Sequence, residues 1–368
     1  MTIRLCNVGL IIMFGSLVAA YDAISMGVSG VRDFECVAPQ STGYYELEIH
    51  RKIRSDCQER NEYQTKGEAL LESLPIMVKS LFLRAVRGEP NSHEWVQRDP
   101  VVDRSLEPRL TWIGHASFLI QVGGLNIITD PIFGNLYGVF RRFFKPGIPL
   151  DQLPPIDVVI ISHNHADHMS VSDLCCLRRR NPKIKAFVPH GDGPWFDEHG
   201  FTDAIECNWW DQIVLGGEGE EKRVSFTFVP ATHWSQRTVC GRNDSSWGGW
   251  VISSGGRSIY FAGDTAYADH LKKIADEFYP ISAALLPIAP CQPKKVLRSH
   301  LGPAGAISAA LELNARLLIP MHWGTFSLGT DKFGAPLEKL KECLREYDSE
   351  LLNCRLAIPK IGECLQID

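Results

Sequence analysis

The 368-residue sequence predicts an α/β fold, because short apolar runs that end in metal-capable side chains alternate with segments of helical periodicity. The apolar runs are rich in β-branched residues, which is typical of buried strands. The helical segments between them are predicted at residues 170–179, 268–278, 303–313 and 336–347. No internal repeat or low-complexity tract divides the chain, so we expect one large domain at residues 108–368, preceded by an extension at residues 21–107.

Composition is that of a folded protein rather than a disordered chain. Hydrophobic residues make up 45% of the sequence and charged residues 22%, which is enough apolar surface to bury a large core. The net charge of −5 disfavours nucleic acid as the main partner, because nucleic-acid binding relies on basic surfaces.

The densest group of metal-capable residues follows the apolar run at residues 157–161. His163, His165, Asp167 and His168 place four such side chains within six residues. If the chain stays extended, the first two histidines project to the same side and can share one metal, whereas the last two residues can face a second ion after a turn. None of the four is a thiolate, so the set suits zinc and also fits iron or manganese. A histidine-rich surface loop is the alternative, and the preceding buried strand argues against it.

Three more candidate ligands lie downstream, each just after a strand-like run. They are His233, Asp264 and His322. Gly263 permits a tight turn before the aspartate. Each residue alone also fits a structural turn or a packed core histidine, but their common placement at strand ends favours a shared metal centre.

The ordered pattern HxHxDH, His, Asp, His resembles that of the metallo-β-lactamase superfamily. Within it, the chain is most similar to the N-acylphosphatidylethanolamine-hydrolysing phospholipase D group and its bacterial relatives, over residues 108 to about 340. The segments that carry this similarity are TWIGHAS at residues 111–117, TDPIF at 129–133, HWSQR at 233–237, AGDTAY at 262–267, SHLGP at 299–303 and HWGTF at 322–326. The resemblance implies an αββα sandwich with the metals at one edge, between the sheets.

The resemblance also implies two zinc ions and assigns their ligands. One ion would be bound by His163, His165 and His233, the other by Asp167, His168 and His322, with Asp264 bridging both. A hydroxide held between the two ions would be the nucleophile. His300 matches a family position near the substrate phosphate, so the residues with catalytic roles are expected to be Asp264, Asp167 and His300.

The implied function is that of a dinuclear zinc hydrolase that cleaves phospholipid phosphodiester bonds, converting N-acylphosphatidylethanolamine to N-acylethanolamine and phosphatidate. Two alternatives stay open: a lactonase or other ester hydrolase of the same fold, and a non-catalytic lipid- or metal-binding module. The sequence departs from the family at Ala166, where tyrosine is common, and at residues 289–293, which replace a segment that usually carries tyrosine and glutamate. The headgroup of the substrate is therefore the least defined part of the prediction.

Two further polar residues have two readings each. Asp130 is either a carboxylate that orients a ligating histidine or a cap of the turn before Pro131. His115 either supports the metal site or packs within a turn.

Residues 1–20 have the pattern of a signal peptide. Arg4 precedes an uncharged run that ends in Val-Ala-Ala, and the run is shorter than the roughly 20 apolar residues of a membrane span. We expect an exported or membrane-associated protein. The alternatives are a retained anchor, a buried amino-terminal element, and a peripheral location on the cytoplasmic side of a membrane.

A membrane surface is the expected partner besides the phospholipid substrate, and two segments are candidates for contacting it. One is the amphipathic stretch at residues 68–87, for which Pro75 predicts a break in the helix. The other is the loop at residues 133–147, where aromatic residues alternate with cations. Each has a plain alternative, namely that its apolar side chains pack against the protein core.

Overall fold

The computed structural model describes residues 46–51, 70–87, 90, 94–138, 140–238, 241–346 and 354–368, with the backbone alone at residues 46–51, 70–74 and 346. The predicted signal peptide at residues 1–20 lies outside the described residues. Two mixed β-sheets pack face to face and helices cover their outer faces, which is the predicted αββα sandwich.

The first sheet has eight strands, and β1, from the predicted extension, pairs antiparallel with β8 at its edge. In spatial order the strands are β1 (Glu46–Arg51), β8 (Asp211–Gly216), β9 (Arg223–Val229), β10 (Gly249–Ser254), β11 (Arg257–Phe261), β12 (Ala283–Pro287), β13 (Leu317–Met321) and β14 (Arg355–Leu356).

The second sheet has seven strands and contains the carboxyl-terminal strand at its edge. In spatial order the strands are β15 (Cys364–Gln366), β2 (Arg109–Gly114), β3 (Ser117–Val122), β4 (Leu125–Thr129), β5 (Val158–Ile160), β6 (Lys185–Pro189) and β7 (Ile205–Cys207).

The α-helices in the described residues are α1 (Leu70–Arg87), α2 (Val171–Arg180), α3 (Gly193–Glu198), α4 (His270–Phe278), α5 (Gly302–Glu312) and α6 (Ala335–Glu346). Five of them lie where the sequence pattern predicts them, with ends shifted by one or two residues, whereas the short α3 was not predicted. Apolar residues of α2 and α3 pack on the outer face of the second sheet, and α5 packs on β12 and β13 of the first. Three arginines in the last turn of α2 interact favourably with the helix dipole.

The predicted break at Pro75 is wrong, because α1 continues through this proline. Pro75 is the sixth residue of the helix, so its missing N–H removes one backbone hydrogen bond near the amino terminus and leaves the rest of the ladder intact. None of the described helices is both long and apolar enough to cross a bilayer.

The strand directions bring the predicted ligands to one edge of the sandwich. In the first sheet, β9 and β11 are both antiparallel to β10, and β11, β12 and β13 are parallel to one another, so β9, β11 and β13 end at the same edge. In the second sheet, β4 and β5 are parallel and end at a common edge. The loops after these five strands carry all seven predicted ligands and Asp130.

Candidate metal centre

The seven predicted ligand side chains converge between the two sheets. We call His163, His165 and His233 the first half-site, and Asp167, His168 and His322 the second half-site. The potential ligand atoms of each set lie within 4.8 Å of one another. Each half-site draws residues from both sheets, because the HxHxDH segment follows β5 whereas His233 and His322 follow β9 and β13.

The spacing of the ring nitrogens is that of ligands around a shared ion. His165 Nδ1 lies 2.8 Å from His163 Nε2 and 3.2 Å from His233 Nε2. In the second half-site, His168 Nε2 and His322 Nε2 are 3.1 Å apart. Ligand atoms of a tetrahedral zinc site with Zn–N bonds of about 2.0–2.1 Å are roughly 3.3 Å from one another, close to these values.

Asp264 lies between the half-sites. Its Oδ2 is 3.8 Å from His233 Nε2 and 3.3 Å from His168 Nε2, and its Oδ1 is 3.2 Å from His322 Nε2. The preceding Gly263 has φ 58°, and a Cβ there would stand 2.5 Å from the Cβ of Ser162. Glycine therefore allows the turn to bring this carboxylate against both sets of histidines.

The tautomers of two histidines are fixed by backbone carbonyls. His233 Nδ1 donates to the carbonyl of Ser299 at 2.9 Å, and His322 Nδ1 donates to the carbonyl of Ala289 at 2.8 Å. Because a carbonyl only accepts hydrogen bonds, Nδ1 holds a hydrogen in each ring, so that each ring in its neutral form turns the Nε2 lone pair to the centre. This is the arrangement a metal ligand needs.

Asp130 supports histidines of both half-sites. This fully buried carboxylate accepts a hydrogen bond from His168 Nδ1 at 2.7 Å and one from Ser162 Oγ at 2.5 Å. Since Ser162 Oγ uses its hydrogen on Asp130, it accepts from His163 Nδ1, 2.9 Å away. Of the two interpretations of Asp130, these contacts agree with the one in which its carboxylate orients a ligating histidine.

His115 also lies in the centre rather than in a remote turn. Its Nε2 is 3.0 Å from Asp167 Oδ2, and its ring centroid is 4.0 Å from that of His322. The backbone carbonyl of His115 accepts from the His322 N–H, and its own N–H donates to Thr325 Oγ1 at 2.6 Å. His115 thus joins the turn after β2 to the loop after β13.

Burial and charge divide the histidines into two groups. Burial lowers the pKa of His163 and His233 well below the usual value, and lowers that of His165 to about 4. Burial opposes protonation of His168 and His322 too, but the nearby carboxylates of Asp264 and Asp167 together outweigh it, so the pKa of His168 is well raised and that of His322 rises to about 9.

The carboxylates of Asp264 and Asp167 remain ionised in the centre, because each has a pKa well below its usual value. Burial favours the neutral form of Asp264, but the positive charges of His322 and His168 hold its pKa well below the usual value. Asp264 Oδ1 is buried and accepts no hydrogen bond among the described residues, although His322 Nε2 is 3.2 Å away. The buried anions therefore call for positive charge, which a divalent cation supplies, and the donor set fits such an ion.

His300 approaches the centre from the side of a cavity. Its Nε2 lies 3.2 Å from Asp264 Oδ2, and its Nδ1 is 3.1 Å from the carbonyl of Val296. The ring lines the cavity together with Asp264. His300 therefore lies next to Asp264, and its role towards a phosphate stays a prediction.

The cavity has a volume of about 140 Å³, with the metal-site residues at its base. Its apolar wall, as we call it, consists of Ile76, Met77, Leu136, Tyr137, Val296 and Leu328. Two of these side chains come from α1, so a segment of the predicted extension helps form the site. Ala166 also faces the cavity, and its methyl group leaves room that a tyrosine would fill.

The aromatic loop at residues 133–147 packs inward. Phe133, Phe140 and Phe144 are buried, as is Leu136, which agrees with the packing alternative and not with insertion into a membrane. Arg142 fixes the loop from within, because its guanidinium donates to the carbonyls of Ile132, Ile113 and Phe144. Exposed apolar side chains occur instead on α1, at Phe82 (66% exposed) and Val86 (69% exposed).

Comparison with known families agrees with this fold and site. A family model described as a β-lactamase superfamily domain matches residues 125–323, more than half of the chain. The chain therefore belongs to the metallo-β-lactamase superfamily, and it is a metal-dependent hydrolase of that superfamily.

Individual relatives narrow the position within the superfamily. The chain is 32% identical to the N-acyl-phosphatidylethanolamine-hydrolyzing phospholipase D 1 of Caenorhabditis elegans, over 69% of this chain and 74% of the relative. It is 30% identical to a UPF0173 metal-dependent hydrolase of Methanopyrus kandleri, over 69% of this chain and 98% of the relative. Among solved structures, Igni18, a metallo hydrolase from Ignicoccus hospitalis, superposes with a TM-score of 0.53 at 24% identity, covering 71% of this chain and 98% of that one. This last similarity shows the fold alone.

Proposed function

We propose that this protein is a dinuclear zinc phosphodiesterase that hydrolyses N-acylphosphatidylethanolamine to N-acylethanolamine and phosphatidate. The observation that carries the proposal is the pair of half-sites that share Asp264 at the base of an apolar cavity. The similarity to the Caenorhabditis elegans phospholipase supports the choice of substrate.

The donor set supports zinc as the metal. Imidazole nitrogens and carboxylates without thiolate suit Zn²⁺, and they also accept iron or manganese. Two bound ions would supply Lewis-acid activation of water and stabilisation of phosphoryl charge.

The chain's own residues orient the reacting groups. Asp264 and Asp167 provide the negative charge that retains the metals, and Asp130 with Ser162 fixes the rings of His168 and His163. His300, beside Asp264, is positioned to donate from Nε2 to a phosphoryl oxygen as charge develops there. In the reaction the oxygen of water bonds to phosphorus, the P–O bond to the N-acylethanolamine breaks, and the leaving oxygen takes up a proton.

The apolar wall supports a lipid as substrate. Ile76 and Met77 face Leu136 and Tyr137 beside the metal-site residues, so an acyl chain can be removed from water while the phosphodiester reaches His300. A small hydrophilic ester makes no use of this surface.

We further propose that α1 contacts a phospholipid membrane. Phe82 and Val86 lie one helical turn apart and are mostly exposed, while Ile76 and Met77 of the same helix line the cavity. A bilayer in contact with the exposed pair would be adjacent to the cavity into which its lipid must pass. Replacing both with serine should weaken sedimentation with phosphatidylcholine vesicles; unchanged sedimentation would contradict this role.

Export remains a separate proposal, based on the pattern at residues 1–20. Sequencing the amino terminus of the protein recovered from its native source tests it. A mature chain that starts near residue 21 agrees with cleavage of a signal peptide, and an intact Met1 argues against it.

A lipid-panel hydrolysis assay tests the main proposal. Zinc-loaded protein is incubated with N-acylphosphatidylethanolamine, phosphatidylcholine and a set of lactones, and the products are identified by mass spectrometry. The proposal predicts N-acylethanolamine and phosphatidate, and none of either from Asp264→Ala. Cleavage of lactones alone would favour the ester hydrolase, whereas tight lipid binding without any hydrolysis would favour the binding module.

A further inference from the structure

We propose that His270 is a positioning residue, which fixes His233 of the first half-site relative to the bridging Asp264. His270 is the first residue of α4, and its side chain is completely buried behind the metal centre. It belongs to no group of potential metal ligands among the described residues. The inference rests on the proposed metal centre and concerns how that centre is held in shape.

The ring of His270 lies between the two loops that carry these ligands. Its Nδ1 is 3.2 Å from Thr232 Oγ1 and its Nε2 is 3.1 Å from Thr265 Oγ1. Thr232 directly precedes His233, and Thr265 directly follows Asp264. One imidazole therefore contacts the chain neighbours of two ligands.

Further hydrogen bonds close the arrangement. The N–H of Thr232 donates to Thr265 Oγ1 at 2.9 Å, and the N–H of Ala266 donates to the carbonyl of Thr232 at 2.9 Å. Together with the two contacts of His270, these bonds connect the loops at both main-chain and side-chain level. We call Thr232, Thr265, Ala266 and His270 the loop clamp.

Sheet pairing alone does not fix the distance between these ligands. The strands β9 and β11 that precede them are not neighbours, because β10 lies between. The ladder of β10 with β9 ends at Val229, and that of β10 with β11 ends at Phe261, three or four residues before the ligands. The loop clamp is thus the hydrogen-bonded connection that spans β10 at the edge where His233 Nε2 and Asp264 Oδ2 stand 3.8 Å apart.

A neutral histidine is well suited to this place. Its ring offers one donor and one acceptor on opposite sides, which two hydroxyl groups can satisfy together. Burial lowers the pKa of His270 to about 3, so the ring stays neutral. An apolar residue of similar size would fill the space but leave both threonine hydroxyls with one partner fewer.

The test compares metal binding by His270→Leu, His270→Gln and the wild type, using chelator competition with Zn²⁺ and the absorption spectrum of the Co²⁺-substituted protein. Supporting groups around metal ligands typically change affinity about 10–100-fold when removed. We expect His270→Leu to lose about 10-fold in affinity for one of two ions and to alter the Co²⁺ spectrum. The amide of His270→Gln should restore most of the affinity.

Two further variants separate positioning from general packing. Leu271→Ala removes a buried neighbour in α4 that is not part of the loop clamp, and should lower the unfolding midpoint while keeping wild-type metal affinity. Thr265→Val removes the shared hydroxyl with little change of shape, and should lower metal affinity as His270→Leu does. If His270→Leu does not fold, the metal affinity of Thr265→Val tests the inference in its place.

Wild-type affinity in His270→Leu or Thr265→Val would overturn the inference, as would an equal loss of affinity in Leu271→Ala. These results would leave the proposed function standing. Failure of the wild-type protein to bind zinc at all would instead overturn the metal centre, and the inference with it.

Discussion

The metal centre and the apolar wall meet in one cavity, yet they are built in different ways. Every residue of the two half-sites lies just beyond the end of a strand, and four of the histidine rings are held by hydrogen bonds from Nδ1. The apolar wall takes side chains from α1 and from loops, and these line the cavity through apolar groups. In the proposed function, chemistry and substrate choice would therefore depend on separate parts of the chain.

Because of this difference, we expect the catalysed reaction and the preference among substrates to change independently of each other. Replacing a residue of the centre should alter the reaction of every substrate, because all of them need the same ions. Replacing a residue of the apolar wall should alter the ranking of substrates, because contacts with the chains differ while the ions stay in place.

The largest effect is expected from the bridging carboxylate. Asp264→Ala removes the group that both half-sites share, and should lower kcat by roughly 10³-fold or more for all substrates. Metal analysis should show fewer than two ions per chain, whereas vesicle binding should stay unchanged. Near-normal turnover with two bound ions would contradict the assignment of Asp264 as the group that both half-sites need.

A smaller effect is expected from the carboxylate behind the histidines. Asp130→Asn keeps the shape but weakens the hydrogen bonds to His168 and Ser162, and should lower metal affinity about 10-fold. Activity should return at high zinc concentration, because the ligands themselves remain. Chelator competition measures the affinity, and an unchanged value would show that orientation of the rings does not depend on Asp130.

A selective effect is expected from the apolar wall. Met77→Ala shortens a side chain that lines the cavity, and should lower kcat/KM for long-chain lipids about 10-fold through the loss of buried apolar contact. Hydrolysis of a water-soluble aryl phosphodiester should be unaffected. Lys79→Ala on the exposed side of α1 is the matched control. Equal losses for both substrates would mean that the wall also shapes the metal centre.

The smallest effect is expected in stability, at a site outside both regions. Burial raises the pKa of Asp192 from 3.8 to about 6, because it disfavours the charged form. The protonated side chain therefore contributes to the stability of the folded protein. This contribution is fully present below pH 3.8 and is lost as pH rises through about 6. Asp192→Asn should thus raise the free energy of unfolding by about 1 kcal/mol at pH 8, and the gain should shrink towards pH 4.

Asn164 adds to the reason for this expectation. Its Nδ2 donates to Asp192 Oδ1 at 3.0 Å, and its buried Oδ1 has no hydrogen-bond partner among the described residues, so a new amide offers it a donor. Urea unfolding of the zinc-loaded proteins at several pH values gives the comparison. A gain that is the same at pH 4 and pH 8 would contradict the assigned titration.

The sequence was sufficient to predict the parts of the site that depend on strand ends. His163, His233, Asp264 and His322 each follow an apolar run, and such runs are recognisable locally. The four helices predicted between these strands have bounds within two residues of the structure, because helical periodicity is also a local pattern. Parallel strands then bring their ends together, which follows from fold class once the αββα arrangement is expected.

Other parts depend on contacts between distant segments, and no local pattern reveals them. The role of His115 requires the turn after β2 to meet Asp167, and that of His270 requires two loops to lie side by side. The alternation of aromatic and basic residues in the loop at 133–147 looks the same whether its rings face inward or outward. In the structure Phe133, Phe140 and Phe144 are buried, and Arg142 holds the loop through contacts with carbonyls that are distant in sequence.

The ligands of each half-site come from both sheets, and this has a mechanical consequence. An ion in either half-site would act as a cross-link between the two sheets, because it would join the segment that ends with β7 to the segment that begins with β8. Removal of the ions should then weaken the packing between the two sheets at this edge before it affects the hydrogen bonds within either sheet. Amide hydrogen exchange would show this as early loss of protection at the strand ends of the metal-bearing edge, while β3 and β10 stay protected.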